Sequence, residues 1–166
     1  MDSSAILTEL PRLRRYARAL VGDRAAADDL VQDTLERAWS RVAQWRPGSD
    51  LRAWLFGIMH NLRVDQLRRP GLNTRTMEDE DFDVPTRATQ TDRLEMQDLE
   101  AALTRLPEEQ RAVLLLVALE EMRYEEIAIT LGIPVGTVMS RLSRGREKLR
   151  QILDNRQPAA NLRVVK

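Results

Sequence analysis

Apolar residues recur along the chain at the three- and four-residue spacing of an amphipathic α-helix, and no segment alternates with the two-residue period of a strand. The pattern therefore predicts an all-α fold. In the first half it predicts three helices, at residues 5–21, from residue 23 to Pro47, and at 51–69. The first would end at Gly22 and the third at Pro70-Gly71, while Ser49 or Asp50 can cap the third helix.

A polar, acidic segment at residues 72–91 interrupts this pattern and has no sustained period. Helices resume at 92–106, and Pro107, at position N1, opens a further helix that ends near Glu121. The sequence therefore predicts two small helical domains joined by a flexible acidic linker. The predicted divisions are a domain at 1–70, the linker at 71–91, a domain at 92–154 and an unassigned tail at 155–166.

Residues 124–150 have the layout of a helix-turn-helix: a short helix, a tight turn and a longer basic helix. Ala128 is small where the helices must cross, and Gly132 can take the left-handed conformation that ends the first helix. The face of the second helix that points away from Val138 and Leu142 would then carry hydrogen-bond donors for base edges and phosphates. These donors are Thr137, Ser140, Arg141 and Arg144, and Arg146 and Lys148 extend the positive charge. A helical hairpin with a solvated basic helix is the alternative, but the joint pattern favours DNA binding.

The charge pattern also suggests a polyanionic partner. The chain has 26 basic and 26 acidic residues, yet residues 1–69 and 101–166 each have a net charge of +3, whereas residues 70–100 have a net charge of −6. Two basic modules on an acidic connector suit two separate contacts with nucleic acid. Ordinary solvated surfaces would explain the charges equally well.

Two segments of the first half carry further candidates. The helix at 26–39 has one acidic face. Its carboxylates could bind a basic partner, or they could interact with the positive end of the helix dipole. The helix at 51–69 interleaves aromatic, amide and cationic groups, a combination suited to unstacked bases. Trp54 is better assigned to the core, which leaves Asn61, Arg63 and Arg68 as candidate contacts. Gly57 lies inside this helix, where a larger residue would stabilise it by roughly 1 kcal/mol.

Other function classes are poorly supported. The chain has no cysteine and one histidine, so disulfides, thiolate metal sites and imidazole sites are not expected. His60 with Asp65 could suggest acid–base catalysis, but no nucleophile or glycine-rich loop accompanies them. We therefore expect no catalytic residue, metal or cofactor, and a protein that is not an enzyme. No apolar run is long enough for a membrane helix and the start lacks a signal peptide, which predicts a cytoplasmic protein without membrane insertion.

Three segments together resemble the small extracytoplasmic-function type of bacterial RNA polymerase sigma factor, within the sigma-70 family. They are DDLVQDTLERAW, LRAWLFGIMHNLRVDQLRR and LPEEQRAVLLLVALEEMRYEEIAITLGIPVGTVMSRLSRGREKLR. The resemblance covers nearly the whole chain. It implies a sigma2 domain in the first half, a sigma4 domain in the second, and promoter-specific transcription initiation with core RNA polymerase under the control of an anti-sigma factor.

The resemblance also implies roles for individual residues. Five residues would dock on the clamp helices of the polymerase's largest subunit: Asp28, Asp29, Gln32, Asp33 and Glu36. The helix at 51–69, with a loop near Asn61, would capture a flipped base of the −10 element, and Asn61 is the first choice for this contact. Arg63, Arg68 and Arg69 would assist it. The basic helix of the second domain would read the −35 element, and that domain would also meet the flap of the second-largest subunit. The acidic linker would follow the RNA-exit path.

Two alternatives remain open from the sequence. A conventional helix-turn-helix repressor or activator would bind a duplex operator alone, and a polymerase-binding adaptor would tolerate loss of Arg141 and Arg144.

Overall fold

The computed structural model describes residues 3–69 and 90–156, and within these ranges it contains helices and no strand. The helices are α1 (Ser3–Thr8), α2 (Leu10–Val21), α3 (Arg24–Ser40), a 3-10 turn (Val42–Gln44), α4 (Leu51–Arg68), α5 (Gln90–Thr104), α6 (Glu108–Ala118), α7 (Tyr124–Leu131) and α8 (Val135–Arg156). The predicted all-α fold is confirmed. Most of the predicted linker and of the tail lies outside the described residues. None of the described helices is long and apolar enough to cross a membrane.

The first predicted helix is in fact two helices. The break falls at Glu9, and Pro11 lies in the first turn of α2. A proline has no amide hydrogen and its ring clashes with the carbonyl group four residues earlier, so a continuous helix through this position is unfavourable. The predicted end is confirmed, because Gly22 follows α2 with a φ of 85° and its N–H donates to the carbonyl of Arg18 at 3.1 Å.

Carboxylate caps begin the next two long helices. Asp23 accepts a hydrogen bond from the N–H of Ala26 at 3.2 Å, and Asp50 accepts one from the N–H of Ala53 at 3.3 Å. Asp50, not Ser49, is therefore the cap of α4. The prediction that α3 extends to Pro47 is wrong, because α3 ends at Ser40 and a 3-10 turn follows.

The buried face of α4 includes more residues than Trp54, which the sequence assigned to the core. Leu55, Phe56 and Met59 are almost fully buried, and Trp54 is only half-buried against the same core. The ring of Phe56 meets the ring of Tyr16 from α2 edge-to-face, with centroids 5.0 Å apart. Burial raises the pKa of this Tyr16 hydroxyl.

The second half begins close to the predicted positions. Pro107 is the N-cap of α6 and not its first residue, and α6 ends at Ala118, three residues before the predicted end at Glu121. Gly145 on α8 is buried against α6, where an added Cβ would lie 3.1 Å from a methyl group of Leu114. A small residue at this position therefore lets α6 and α8 pack closely.

The two halves pack against each other and share one hydrophobic core. Helix α2 contacts α6, and α4 contacts α7, so one buried cluster includes residues of both halves, from Ile6 to Leu142. A smaller second cluster lies within the second half and contains Ala102, Leu106 and Ile152. At the crossing of α4 and α7, a Cβ on Gly57 would lie 3.2 Å from the backbone oxygen of Thr130. The glycine that weakens α4 as a helix thus permits the close approach of the two halves.

Candidate nucleic-acid interface

The predicted helix-turn-helix is formed by α7 and α8. Gly132 ends α7 with a φ of 70°, and the N–H groups of Gly132 and Ile133 both donate to the carbonyl of Ala128, at 2.9 and 3.0 Å. Pro134 precedes α8, and its carbonyl accepts from the N–H of Thr137 at 3.0 Å. The turn is therefore held by backbone bonds that the local sequence supplies.

The predicted DNA-contacting residues of α8 divide into two groups. Ser140, Arg144, Arg146 and Lys148 are exposed, whereas Thr137 and Arg141 are half-buried. Arg141 lies 3.8 Å from a carboxylate oxygen of Glu109 on α6. The exposed face also carries Met139 and Ser143, which the sequence reasoning did not select. The predicted contacts on α8 were hydroxyl and cationic donors, and Met139 has no donor, although its spacing from buried Val138 indicates an exposed position.

The acidic face of α3 is on the surface as predicted. Asp29, Gln32, Asp33 and Glu36 are exposed, while Leu30 and Thr34 on the opposite side are fully buried. Asp28 is also exposed, but its carboxylate pairs with Arg18 at 3.3 Å. The structure thus leaves most of this acidic face without partners among the described residues.

A groove of about 350 Å³ between α3 and α4 joins the acidic face to Arg69, one of the four candidate −10 residues. Asp33 and Glu36 line one wall, and Asp65 and Arg69 line the other. Asn61 is exposed, but the prediction that it lies near a loop is wrong, because it is in the interior of α4. The cap of Asp50 and the apolar face of α4 keep this helix continuous past that position.

Arg63 is placed differently from the other candidates. Its guanidinium forms two hydrogen bonds with the carboxylate of Glu108 on α6, at 2.7 and 2.9 Å, and both side chains are about four-fifths buried. Arg68 and Arg69 are exposed at the end of α4. Three of the four candidate −10 residues are thus accessible, and one bridges the two halves of the molecule.

A second ionic cluster across the same interface surrounds Glu120, whose side chain is 1% exposed. Arg15 on α2 lies 3.4 Å from its carboxylate, and Arg52 on α4 lies 3.5 Å from it. Arg12 adds a longer pair at 3.9 Å. Three cations from the first half therefore neutralise one buried carboxylate of the second half.

Arg111 forms the third polar connection. Its guanidinium, in a side chain that is nearly fully buried, donates to the carbonyl groups of Leu103 at 2.8 Å, Thr104 at 3.2 Å and Leu106 at 2.7 Å. It also donates to the carbonyl of Leu20, at the end of α2. The oxygens of Leu20, Leu103 and Thr104 belong to the last turns of α2 and α5, where a helix carries partial negative charge, and that of Leu106 follows α5 directly. One cation thus satisfies both helix ends.

His60 also lies at the interface. Burial lowers its pKa, the charge of Arg141 lowers it further, and Glu108 opposes both effects. Because the neutral form is favoured, His60 does not supply a cation for DNA near neutral pH. No group of side chains within the described residues is arranged to hold a metal ion.

Comparison with known proteins identifies the family. Residues 6–60 match the family model described as the Sigma2 domain of PhyR, and residues 96–149 match Sigma-70, region 4. The ECF RNA polymerase sigma factor EcfG of Rhodopseudomonas palustris is 42% identical over 153 residues, which cover 89% of this chain and 82% of EcfG. The chain belongs to the ECF family of RNA polymerase sigma factors.

Other relatives agree with this assignment. The ECF sigma factor SigE of Mycolicibacterium smegmatis is 39% identical over 86% of this chain, and the match spans 57% of that longer protein. The sigma factor RpoE of Bartonella quintana, solved in complex with the anti-sigma factor NepR, has the same fold, with a TM-score of 0.78 and 33% identity. The match covers 91% of this chain and 95% of RpoE. As an ECF sigma factor, the protein acts in transcription initiation, as its three sequence segments predicted.

Proposed function

We propose that this sigma factor binds core RNA polymerase through the acidic face of α3 and reads the promoter with both halves of the chain. The proposed units are a sigma2 domain at 1–70, an acidic linker at 71–91 and a sigma4 domain at 92–154. One observation carries the proposal: the acidic face of α3 and the basic face of α8 both remain exposed while the two halves are packed together. Two surfaces of opposite charge on one chain suit a protein partner and DNA, respectively.

In this proposal the clamp helices of the largest subunit contact Asp28, Asp29, Gln32, Asp33 and Glu36. The −10 element is met by Asn61, Arg63, Arg68 and Arg69. The −35 element is met by Thr137, Ser140, Arg141, Arg144, Arg146 and Lys148, and the sigma4 domain also contacts the flap of the second-largest subunit. The exposed amide of Asn61 carries both hydrogen-bond donors and an acceptor, so it can bind the edge of an unpaired base. Arginine side chains have donors only.

The closed packing bears directly on promoter binding. While Glu108 holds Arg63 with two hydrogen bonds, that guanidinium cannot contact a phosphate or a base. Engagement of all four −10 residues therefore requires α4 and α6 to separate. We propose that binding to core polymerase favours this separation.

The protein works without catalytic chemistry or a cofactor, in the cytoplasm, where polymerase and promoter DNA are available. We also propose regulation by an anti-sigma factor of the kind that RpoE binds, because RpoE and this chain share their fold across almost their full lengths. Such a partner would compete with polymerase for exposed surfaces of the sigma factor.

The decisive experiment is run-off transcription by core polymerase with and without this protein, on templates from upstream of its own gene. We expect initiation at a discrete start only when the protein is present, and loss of that product with Asn61→Ala or Arg144→Ala. Arg105→Ala is the matched control, because Arg105 is exposed and makes no ion pair with any described residue. This variant should transcribe like the native chain.

The polymerase contact is tested separately by co-purification with core enzyme. Asp33→Arg should abolish retention, whereas Glu100→Arg, on the exposed side of α5, should not. If no template responds and the protein alone binds a duplex operator tightly, the proposal is wrong and a conventional regulator is the correct assignment.

A further inference from the structure

An exposed apolar side chain lies on the outward-facing part of α8. Met139 is 51% exposed, and its neighbours Ser140, next in the chain, and Ser143, one turn later, are exposed as well. The opposite face of this part of α8 is filled by Val138 and Leu142, which are almost completely buried. Met139 therefore points away from the core and contributes nothing to it.

Hydrogen-bonding groups surround this methionine. It lines an open groove with Tyr124, Leu142, Ser143, Arg146, Glu147 and Arg150. The one carboxylate of this groove, on Glu147, is paired with Arg150 at 2.6 Å. Neither Arg144 nor Arg146 forms an ion pair with any residue that the structure describes, so both cations are available for phosphates. An apolar side chain beside cationic ones suits a surface that fits into a DNA groove.

Only one base presents an apolar group to the major groove. Thymine carries a C5-methyl group there, while the other base edges offer hydrogen-bond donors and acceptors. The first residues of a recognition helix are those that reach base edges, and Met139 is the fifth residue of α8. Its side chain is flexible and has no donor, so it can cover a methyl group but cannot bind a phosphate.

We propose that Met139 is a specificity-determining residue that packs against the methyl group of a thymine in the −35 element. The small side chain of Ser143 leaves room beside it for that base pair, and Ser140 and Arg144 supply the neighbouring polar contacts. This inference rests on the proposed promoter-binding function and assigns to it the recognition of one base.

The test replaces each thymine of the −35 element, on either strand, by deoxyuridine, which lacks only the methyl group. Holoenzyme binding to each promoter duplex is measured with the full-length chain. One replacement should weaken binding by the native protein about fourfold, the factor that corresponds to one buried carbon group at roughly 0.8 kcal/mol. Met139→Ala should lose the same factor on the thymine duplex and should not distinguish thymine from deoxyuridine at that position.

Met96→Ala is the matched control, because Met96 is 55% exposed but lies on α5. This variant should retain the native discrimination. The inference is overturned if specific initiation occurs but no thymine of the −35 element is sensitive to replacement. It is also overturned if Met139→Ala and the native chain discriminate equally between thymine and deoxyuridine. Absence of any specific initiation would instead refute the proposed function, and the inference with it.

Discussion

The buried guanidinium of Arg111 provides a sharp test of what joins the two halves of this sigma factor. Replacing Arg111 with methionine keeps most of the side-chain volume but removes every donor. The carbonyl groups of Leu20 and Leu106 then lose their partner in an environment that is largely closed to water, while that of Leu103 keeps its bond from the N–H of Leu106 at 3.1 Å. We expect a large loss of stability, since an unsatisfied buried polar group costs its full desolvation penalty.

The size of the loss follows from the bonds. Each hydrogen bond to a charged group contributes about 1.5–3 kcal/mol, but the four bonds share one cation and are not additive. Thr104 is exposed, so water can replace the bond to its carbonyl. Removing one partner of a buried ionic arrangement typically costs about 3–5 kcal/mol, and we expect Arg111→Met to fall in that range. That is a large part of the roughly 5–15 kcal/mol that stabilises a domain.

Urea unfolding followed by circular dichroism measures this difference. With a slope of about 2 kcal/mol per molar urea, the midpoint should fall by roughly 2 M. Arg111→Lys should restore only part of the loss, because an ammonium group has three donors and lacks the planar fork of arginine. Arg105→Met, at an exposed position, should unfold like the native protein. A loss below about 1 kcal/mol for Arg111→Met would refute the reasoning.

Four further predictions follow from the same interface. Burial holds the pKa of His60 below its ordinary value of 6.5 in the folded protein. As the pH falls, His60 of the unfolded chain therefore binds its proton before that of the folded chain, so the free energy of unfolding decreases below pH 6.5. His60→Asn should reduce that fall in urea titrations, and identical pH profiles would contradict the assignment. Glu108→Gln should weaken the contact with Arg63 and raise the radius of gyration in X-ray scattering of the free protein; an unchanged radius would show that this pair does not hold the halves together. All three tryptophans lie in the first half, so tryptophan fluorescence and circular dichroism should report the same urea midpoint if the core is continuous, whereas separate midpoints would indicate independent domains. Gly57→Ala should not raise the free energy of unfolding by the roughly 1 kcal/mol expected of a better helix former, because the added Cβ would lie 3.2 Å from the backbone oxygen of Thr130. A full increase in urea unfolding would mean that the crossing of α4 and α7 can widen at no cost.

The sequence determined the helices and the family. The signals involved act over about four residues: Asp23 and Asp50 cap helices, Gly132 ends α7, and the apolar spacing selects one face of each helix. Such interactions depend on the local chain, so they can be read before the fold is known. Two of the misplaced boundaries, at Glu9 and after Ser40, lie where a proline or a 3-10 turn shortens a periodic pattern.

Only the tertiary structure decided which arginine does what. Arg63 and Arg68 are both basic residues on α4, yet one is held by Glu108 and the other is exposed. Arg111 binds the ends of two helices, and one of its partners, Leu20, is 91 residues away. The close packing of the two halves likewise depends on contacts between residues far apart in the chain. A side chain's charge is a property of the sequence, but its partner is set by which distant surfaces the shared core brings together.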